Sequence, residues 1–472
     1  MTGRRRALVG LLAGLFLAGC ATGDYRSPAT PATTTTAVPA TTTSTALATA
    51  TTASCPAIPG RAGPDPARPR YTLSADVHPT DGTVDGQVRV LFTPDLDTDR
   101  LVFRLWPNGP GSAPSRAKLD TGPVTIAGKP ATSNLDDPTT LTVRTGATFK
   151  AGQVVDVATS WHLVVPGAAN DRISRNGDAM RLGSFFPILP WEPGVGWDTD
   201  AAVGGFAEAS TAPTADFDLT VTVPDGFGVL GSGVPDPAKP GHFTASAMRD
   251  VALSVGRFTT ATGTANAPNP VQVTVGIQQG VAGSASAYLD RVVRSLQDFG
   301  GRFGPYPWPT FTLAITPALG GGIEYPGHVM QGPNTLGVVS HEVGHQWFYG
   351  LVGNDQGRDP WLDEGLASWA EARFEGTLDK FKAAVIPPDA KNMVGQPMTY
   401  WSPRPDSYDP GVYVQGVQAL AALGDPNLVD CALRVYVALN AYRIARPPDL
   451  VRAAAAVFPG AAATLAAYGV KG

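Results

Sequence analysis

The chain has 472 residues, which is too long for one ordinary hydrophobic core and predicts two folded domains with accessory segments. Its net charge of −5, with no basic cluster beyond the extreme N-terminus, argues against nucleic acid as a partner. The 54 glycines and 44 prolines predict many turns, and a hydrophobic fraction of 43% is enough for sizeable cores.

The first twenty residues have the order of an export signal. Three arginines, Arg4 to Arg6, precede an apolar run over residues 7–19, which is too short to span a bilayer. The run ends in Leu-Ala-Gly before Cys20, which resembles the bacterial lipobox, in which the cysteine becomes the lipidated first residue. We therefore expect residues 1–20 to be a lipoprotein signal peptide, with Cys20 anchoring the protein to the extracytoplasmic face of a bacterial cell membrane. An ordinary secretory signal with a chance cysteine is the alternative.

Residues 21–60 are rich in Thr, Ala and Pro and nearly free of charged and aromatic side chains. Such a segment cannot bury enough apolar surface to offset its chain entropy, so we predict a disordered tether. A plain disordered leader without a spacer role is the alternative. Beyond Cys20 the chain has two cysteines, Cys55 and Cys431, which can pair in a disulfide in an oxidising compartment.

Residues 65–270 are predicted to form an antiparallel β-sandwich or saddle. Apolar residues alternate with others over residues 71–77 and 88–92, and the Asp-Gly turns between these runs predict a hairpin. Short runs with the same period continue to about residue 277, separated by Gly, Pro and Asp. Three histidines of this region are interpreted as surface or structural residues: His78, His162 and His242.

The hydrophobic period changes in the second half of the chain. Over residues 281–304 the apolar side chains recur at intervals of three and four, and Gly300-Gly301 supplies a stop signal. This amphipathic helix is predicted to open a second, mainly helical domain, which we place over residues 271–472.

His341 and His345 flank Glu342 in the stretch HEVGH, although the whole chain has only six histidines and seven glutamates. On an α-helix, residues four apart are offset by about 40° around the axis and about 6 Å along it, so both imidazoles can reach one point. A zinc ion needs that convergence, and Glu342 can direct its carboxylate at a water on the metal as a general base. Two helix-face histidines beside a solvated glutamate are the alternative.

A catalytic zinc ion usually has three protein ligands, and Glu364 is the predicted third. Eighteen residues lie between His345 and Glu364, enough to finish one helix, turn and lay another beside it. Asp359 is a good N-cap for the second helix, with Pro360 at its first position. Asp363 is the nearest competitor as a ligand, but it points about 100° away around the helix.

This part of the sequence resembles the gluzincin metallopeptidases of the aminopeptidase N family, whose members carry HExxHxW and a W-L-N-E-G-F-A type segment. The resemblance lies in the HExxH motif, the eighteen residues that follow it and the glutamate within WLDEGLA. Trp347 matches the tryptophan of the first motif. In that family a β-saddle precedes a thermolysin-like catalytic domain. The resemblance therefore implies an α+β multidomain fold, with an N-terminal β-saddle and a mainly helical thermolysin-like domain, from about residue 70 onward.

The same family has a G-x-M-E-N motif whose glutamate grips the free α-amine of the substrate. Here the corresponding residues 321–325 read Gly-Gly-Ile-Glu-Tyr, which departs from the family at Ile323 and Tyr325. The resemblance implies that Glu324 binds the amine, with Gly321 and Gly322 beside it. A carboxylate in a glycine-rich turn also suits an ammonium group on physical grounds, whereas a surface turn carboxylate is the alternative.

The oxyanion of the reaction needs a hydrogen-bond donor without a charge of its own, and a phenol meets this requirement. Tyr413, followed by Gln-Gly at residues 415–416, resembles the family's Y-x-K-G-A segment and is the predicted donor. A packed helix-face aromatic is the alternative interpretation of Tyr413. The other candidates, in order of preference, are Tyr408 and then Tyr400 or Tyr325.

These assignments predict a zinc aminopeptidase with one Zn²⁺ per chain, acting on peptides and held at the membrane by its lipid anchor. Glu371, seven residues after Glu364 on the same helix face, is a candidate to orient a ligand histidine, or else a solvent-exposed salt-bridging residue. A zinc endopeptidase is one open alternative, favoured if the changes at residues 323 and 325 spoil amine binding. A surface lipoprotein that binds metal or peptide without turnover is the other, although it would not need Glu342. The sequence does not indicate an oligomeric state.

Overall fold

A computed structural model describes residues 49–204, 211–333 and 336–472. The predicted signal peptide over residues 1–20, the lipidation site Cys20 and most of the predicted tether lie outside the described residues. In the part of the chain that is described, no helix is both long enough and apolar enough to cross a membrane.

The first half of the described chain is built from strands that each bury one face. In the strand Arg70–His78, Tyr71, Leu73 and Val77 are buried while the residues between them are mostly more exposed, because successive side chains point to opposite faces. The strands of this half are β1 (Arg70–His78), β2 (Thr83–Phe92), β3 (Thr98–Arg104), β4 (Lys118–Thr121), β5 (Thr125–Ile126), β6 (Lys129–Pro130), β7 (Thr132–Asp137), β8 (Thr140–Phe149), β9 (Val155–Val164), β10 (Ile173–Asn176), β11 (Ala179–Leu182), β12 (Trp191–Glu192), β13 (Gly196–Trp197), β14 (Ala215–Thr222), β15 (Gly228–Gly231), β16 (Val234–Pro235), β17 (His242–Met248) and β18 (Leu253–Gly256).

Within the described residues, the largest sheet has nine strands in the order β16-β17-β14-β1-β2-β9-β5-β6, with β4 pairing β9. Its pairings are antiparallel except for the parallel pairing of β1 with β14. Two smaller sheets have the orders β3-β8-β7 and β10-β11-β18-β15, and β12 pairs β13. The expected fold class is confirmed. Alternation could not reveal the parallel pair, because both kinds of pairing have the same period.

The second half combines a five-stranded sheet, in the order β19-β20-β21-β23-β22 within the described residues, with helices packed against it. Its first helix is capped by Ser284, whose hydroxyl accepts from the amide of Ala287. The elements in chain order are β19 (Phe258–Asn266), β20 (Pro270–Gln278), α1 (Ala285–Phe303), β21 (Thr310–Ile315), β22 (Gly322–Tyr325), β23 (His328–Gln331), α2 (Leu336–Gly344), β24 (Gly353–Asn354), α3 (Trp361–Glu375), α4 (Leu378–Ala383), α5 (Met398–Trp401), α6 (Pro405–Asp409), a π-helical turn (Pro410–Val414), α7 (Gln415–Ala421), α8 (Pro426–Asn440), β25 (Ile444–Ala445), α9 (Pro447–Ala455) and α10 (Ala461–Ala466).

The boundary between the two halves differs from the predicted one at residue 271. Strand β20 pairs β19 on one side and β21, beyond helix α1, on the other. The sheet of the second half therefore begins at Phe258. Alternation alone could not place this boundary, because the strands on both sides of it share a period of two.

Residues 49–60, predicted as the end of the tether, lie against the C-terminal helices instead. The amide of Ala50 donates to the carbonyl of Ala455 at 2.9 Å, and the amide of Ser54 to that of Val457 at 3.1 Å. Cys55 and Cys431 form a disulfide with their Cα atoms 5.9 Å apart. The composition of this segment predicts little burial. Backbone hydrogen bonds and a covalent link to α8 hold the segment in place instead, and composition carries no information about either.

Candidate active site

Close packing of α2 on α3 brings the predicted metal ligands together. Gly344, at the end of α2, permits this approach, because a Cβ there would lie 3.3 Å from the Cα of Ala367 on α3. Helix α3 begins at Trp361, with Pro360 as its N-cap and no side-chain capping bond. The predicted N-cap, Asp359, is therefore wrong by one position, but the predicted helix is present and carries Glu364 in its first turn.

The side chains of His341, His345 and Glu364 converge on one point. The Nε2 atoms of His341 and His345 lie 3.1 and 3.3 Å from Oε2 of Glu364, and 3.0 Å from each other. Donor atoms about 2.0–2.1 Å from a tetrahedral zinc ion are about 3.3 Å apart, so this spacing fits zinc. Two imidazole nitrogens and a carboxylate are also the donors of known catalytic zinc sites, which keep a fourth position for water or substrate.

The second nitrogen of each histidine ring also has a partner. Nδ1 of His345 lies 3.2 Å from the carbonyl of Phe348, which can only accept, so Nε2 is left for a metal. Nδ1 of His341 lies 3.4 Å from Oε2 of Glu371. The structure thus places Glu371 where it can fix the ring of His341. Asp363, the competing ligand, instead accepts from Nε2 of Gln356 at 2.7 Å.

Glu342 is 4% exposed, and its carboxylate lies directly against the backbone of Gly322. A Cβ at position 322 would overlap the carboxylate carbon, so the contact depends on glycine. Burial raises the pKa of Glu342 to about 7, while His341 and His345 act in the opposite direction. A pKa near neutrality suits a group that takes and returns a proton.

Strand β22 brings Glu324 to the same place. Carboxylate oxygens of Glu324 and Glu342 and a ring nitrogen of His345 lie within 4.8 Å of one another, and all three residues are buried. Ile323 and Tyr325 occupy the other face of the strand, where they pack with Ala252 and Met330. The two departures from the family motif are therefore turned away from the carboxylate of Glu324.

The neighbouring glycine and the residue after the HEVGH motif complete this edge of the site. A Cβ at Gly321 would meet no atom within 4 Å, so this position faces open space. Gln346 accepts from the amide of Gly327 at 2.9 Å and donates to the carbonyl of Tyr325 at 3.1 Å. Gln346 is not among the residues predicted from the sequence, where its only signal is its place directly after the second histidine.

Tyr413 lies in the π-helical turn and stacks on His341, with ring centroids 5.6 Å apart and planes 17° from parallel. Burial raises the pKa of Tyr413 well above its ordinary value, and the carboxylate of Glu364 adds to the rise. The phenol is therefore a neutral donor at physiological pH. Helix α7, which follows the turn directly, packs closely on α3 through two glycines, because a Cβ on Gly416 would lie 2.9 Å from the Cα of Gly365.

The other candidate tyrosines lie elsewhere. Tyr408 is 8% exposed and meets Tyr413 edge-on, with ring centroids 5.6 Å apart. The hydroxyl of Tyr400 donates to the carbonyl of Asp389, and that of Tyr325 lies 3.2 Å from Oγ of Ser184. Tyr413 is therefore the candidate that touches a predicted metal ligand through its ring.

Comparison with known families identifies the second half of the chain. Residues 289–458 match the peptidase family M1 domain. The resemblance to aminopeptidase N-like metallopeptidases is thereby confirmed, and the matched M1 domain includes the three convergent ligands and Tyr413.

Known relatives match parts of this chain. Aminopeptidase M1-C of Oryza sativa subsp. japonica is 28% identical over 182 residues, which cover 33% of this chain and 20% of the relative. Aminopeptidase B of Homo sapiens is 34% identical over 85 residues, which cover 16% of this chain and 13% of the relative. The chain thus spans a fifth or less of the length of these relatives.

The fold extends the similarity to the β half. The M1 zinc metallopeptidase of Deinococcus radiodurans matches with a TM-score of 0.63 at 20% identity, covering 85% of this chain and 93% of that chain. A mutant of a two-domain M1 zinc metallopeptidase bound to L-arginine matches with a TM-score of 0.65 at 19% identity. At this identity the matches show a shared two-domain fold.

Proposed function

We propose that the protein is a zinc-dependent aminopeptidase that removes N-terminal residues from peptides. The observation that carries this proposal is the closeness of Glu324 to Glu342 and His345, within 4.8 Å. In an aminoacyl group the α-nitrogen is two bonds, about 2.5 Å, from the carbonyl carbon, so a carboxylate that binds the amine must lie beside the catalytic base. Two buried carboxylates this close also favour a cation between them, and the substrate ammonium supplies one.

Each residue then has a defined task. His341, His345 and Glu364 would hold zinc, which as a Lewis acid polarises the scissile carbonyl and lowers the pKa of water. Glu342 takes a proton from the attacking water and passes it to the leaving amine. Glu324 accepts hydrogen bonds from the α-ammonium group, and Tyr413 donates to the oxyanion as the carbonyl carbon becomes tetrahedral.

The names of the relatives support this choice of reaction. The rice and human relatives are called aminopeptidases, and a Deinococcus radiodurans M1 zinc metallopeptidase mutant was solved with the substrate Tyr-Ser-Ala bound. Free L-arginine and L-tryptophan occupy other structures of this kind. A site that holds single amino acids fits a reaction that releases them one at a time.

The decisive experiment compares aminoacyl 4-nitroanilides with their N-acetylated copies. We expect the free-amine compound to be cleaved and the acetylated one about 10- to 100-fold more slowly, since a charged hydrogen bond is lost. Glu342→Gln should lower kcat about 100- to 10,000-fold while zinc content stays at one per chain. Equal cleavage of both compounds would indicate an endopeptidase, and turnover that survives chelation would exclude a zinc hydrolase.

Substitution of the tyrosines tests the oxyanion donor. Tyr413→Phe should lower kcat about 100- to 1,000-fold with little change in KM or zinc content, because one donor to the transition state is removed. Tyr408→Phe is the matched variant on the neighbouring ring. If the loss of kcat followed Tyr408 instead, the roles of the two phenols would be exchanged.

We also propose that the protein is exported and lipidated at Cys20, on the extracytoplasmic face of a bacterial cell membrane. The order of arginines, apolar run and Leu-Ala-Gly-Cys supports this, and the Cys55–Cys431 disulfide suits an oxidising compartment. Cells expressing the full chain should incorporate labelled palmitate into the wild type but not into Cys20→Ser. An unlabelled wild type that does not sediment with membranes would contradict the proposal.

A further inference from the structure

Residues 316–322, here called the glycine loop, run from the end of β21 to the first residue of β22 and end in three consecutive glycines, the last of which contacts Glu342. Glycine loses more backbone freedom on folding than any other residue, so an ordered run of three needs anchors from outside. Two anchors are backbone bonds of the glycines. The amide of Gly320 donates to Oδ1 of Asn170 at 2.8 Å, and the carbonyl of Gly321 accepts from Gly332 at 2.8 Å.

A third anchor comes from Arg181 on β11, in the β half of the protein. This side chain is 2% exposed, although it carries a full charge. Its Nη1 atom donates to Oγ1 of Thr316 at 3.1 Å and to the carbonyl of Pro317 at 2.7 Å. Its Nη2 atom donates to the carbonyl of Ala318 at 3.2 Å. One guanidinium thus binds three successive residues of the glycine loop.

The same guanidinium binds a second loop, which carries Asn170. Nε of Arg181 donates to the carbonyl of Asp171 at 3.0 Å, and Nη2 donates to that of Ala169 at 2.6 Å. A guanidinium has five N–H groups in a rigid fork, and Arg181 uses all five on these two loops. Arg181 and Asn170 therefore join the loop of the β half to the glycine loop.

We infer that Arg181 is a positioning residue for substrate binding, because it keeps the glycine loop ordered where the first residues of a peptide would lie. This inference rests on the proposed aminopeptidase function. Strand β22 keeps Gly322 and Glu324 in place through its own ladder with β23, independently of Arg181. Loss of Arg181 should therefore disorder the loop and leave the chemical groups where they are.

The expected signature is a change in KM rather than kcat. When the binding-competent state is only partly populated, apparent affinity falls by that fraction, whereas the bound complex reacts as before. On an aminoacyl 4-nitroanilide, Arg181→Gln should raise KM about tenfold, with kcat within about threefold of wild type. Arg181→Lys keeps the charge but has at most three donors, so its KM should lie between those of the wild type and Arg181→Gln.

Two further variants keep the test valid if Arg181→Gln folds poorly. Asn170→Ala removes one exposed anchor of the same loop and should raise KM about two- to tenfold, as for a single hydrogen bond. Arg175→Gln is the matched control, since Arg175 donates to carbonyls of Pro79 and Thr80 within the β half, away from the glycine loop. Its KM should equal that of wild type.

Hydrogen–deuterium exchange gives a readout that does not need turnover. Peptides containing the Gly320 amide should exchange faster in Arg181→Gln and Asn170→Ala than in wild type, and unchanged in Arg175→Gln. If wild type failed to cleave the anilide while the loop still loosened, the proposed function would be wrong and the ordering role would stand. The inference would be overturned if exchange at the Gly320 amide were unchanged in Arg181→Gln. It would also be overturned if kcat and 1/KM fell equally in a variant that is still active.

Discussion

The carboxylate of Glu342 occupies the space that a Cβ would fill at Gly322. Glu342 lies on α2 beside the convergent ligands, and Gly322 begins the strand that carries Glu324. Their contact therefore joins the proposed general base to the proposed amine-binding strand. A larger residue at position 322 would displace the Glu342 side chain, because a side chain moves more easily than either backbone.

Gly322→Ala should separate activity from stability. We expect kcat to fall about 100- to 10,000-fold, as for loss of a general base, with zinc content unchanged. The free energy of unfolding should change by less than about 1 kcal/mol, because the carboxylate can rotate away. Gly301→Ala on α1, where a Cβ would meet no atom within 4 Å, is the control. Wild-type turnover in Gly322→Ala would show that Glu342 does not act from this position.

Glu371→Gln should weaken zinc binding without removing a ligand. The carboxylate of Glu371 lies 3.4 Å from Nδ1 of His341, and loss of such a partner typically lowers metal affinity about 10- to 100-fold. Competition with a chelator measures this change. The control is Glu375→Gln on the same helix, since Glu375 contacts Arg291 and Ser340 rather than a ligand. Equal zinc affinity in both variants would make Glu371 a surface ion-pairing residue.

Removal of the disulfide should destabilise the protein and leave its chemistry intact. Cys55 and Cys431 are separated by 376 residues in the sequence, and a link of this kind typically contributes about 2–5 kcal/mol by restricting the unfolded chain. Cys55→Ser should lower the unfolding temperature and make residues 49–62 susceptible to proteolysis, with KM and kcat near wild type. The wild type treated with a reductant should show the same changes as Cys55→Ser. Two results would contradict this expectation. One is a loss of turnover on removal of the disulfide, and the other is an unfolding temperature equal to that of the oxidised wild type.

His328 should make stability fall in acid. It is fully buried, with Ser254 and Thr312 hydroxyls at its two ring nitrogens, and burial lowers its pKa to about 3 from 6.5. The unfolded chain binds a proton below about pH 6.5 whereas the folded chain does not until about pH 3. Stability from this residue is therefore complete above pH 6.5 and is lost as pH falls, at about 1.4 kcal/mol per unit.

Urea unfolding at pH 7 and pH 5 measures this contribution. Between these values the wild type should lose about 2 kcal/mol more than His328→Gln, which has no proton to bind at this position. The comparison with the variant removes the effect of the other titrating groups. The same pH dependence in both proteins would mean that His328 is protonated in the folded state.

Much of the fold follows from local patterns. Alternation identified β1, β2 and β9, because each buries one face, and the change of period located α1 close to its observed bounds. Pairing of distant strands was beyond these patterns. The parallel contact of β1 with β14, for example, joins segments more than 140 residues apart. Alternation specifies which face is buried, but not which strand lies alongside.

The sequence by itself determined the donors of the candidate metal site. His341 and His345 converge because a helix places residues four apart on one side, and Glu364 follows at a spacing that allows an antiparallel neighbour. Tertiary structure alone decided three contacts: the approach of Cys55 to Cys431, the packing of Glu342 against Gly322, and the hydrogen bonds of Arg181 to the glycine loop. These contacts join residues from about 20 to several hundred positions apart. Local periodicity carries no information about them, because they exist only once the sheets and helices have packed.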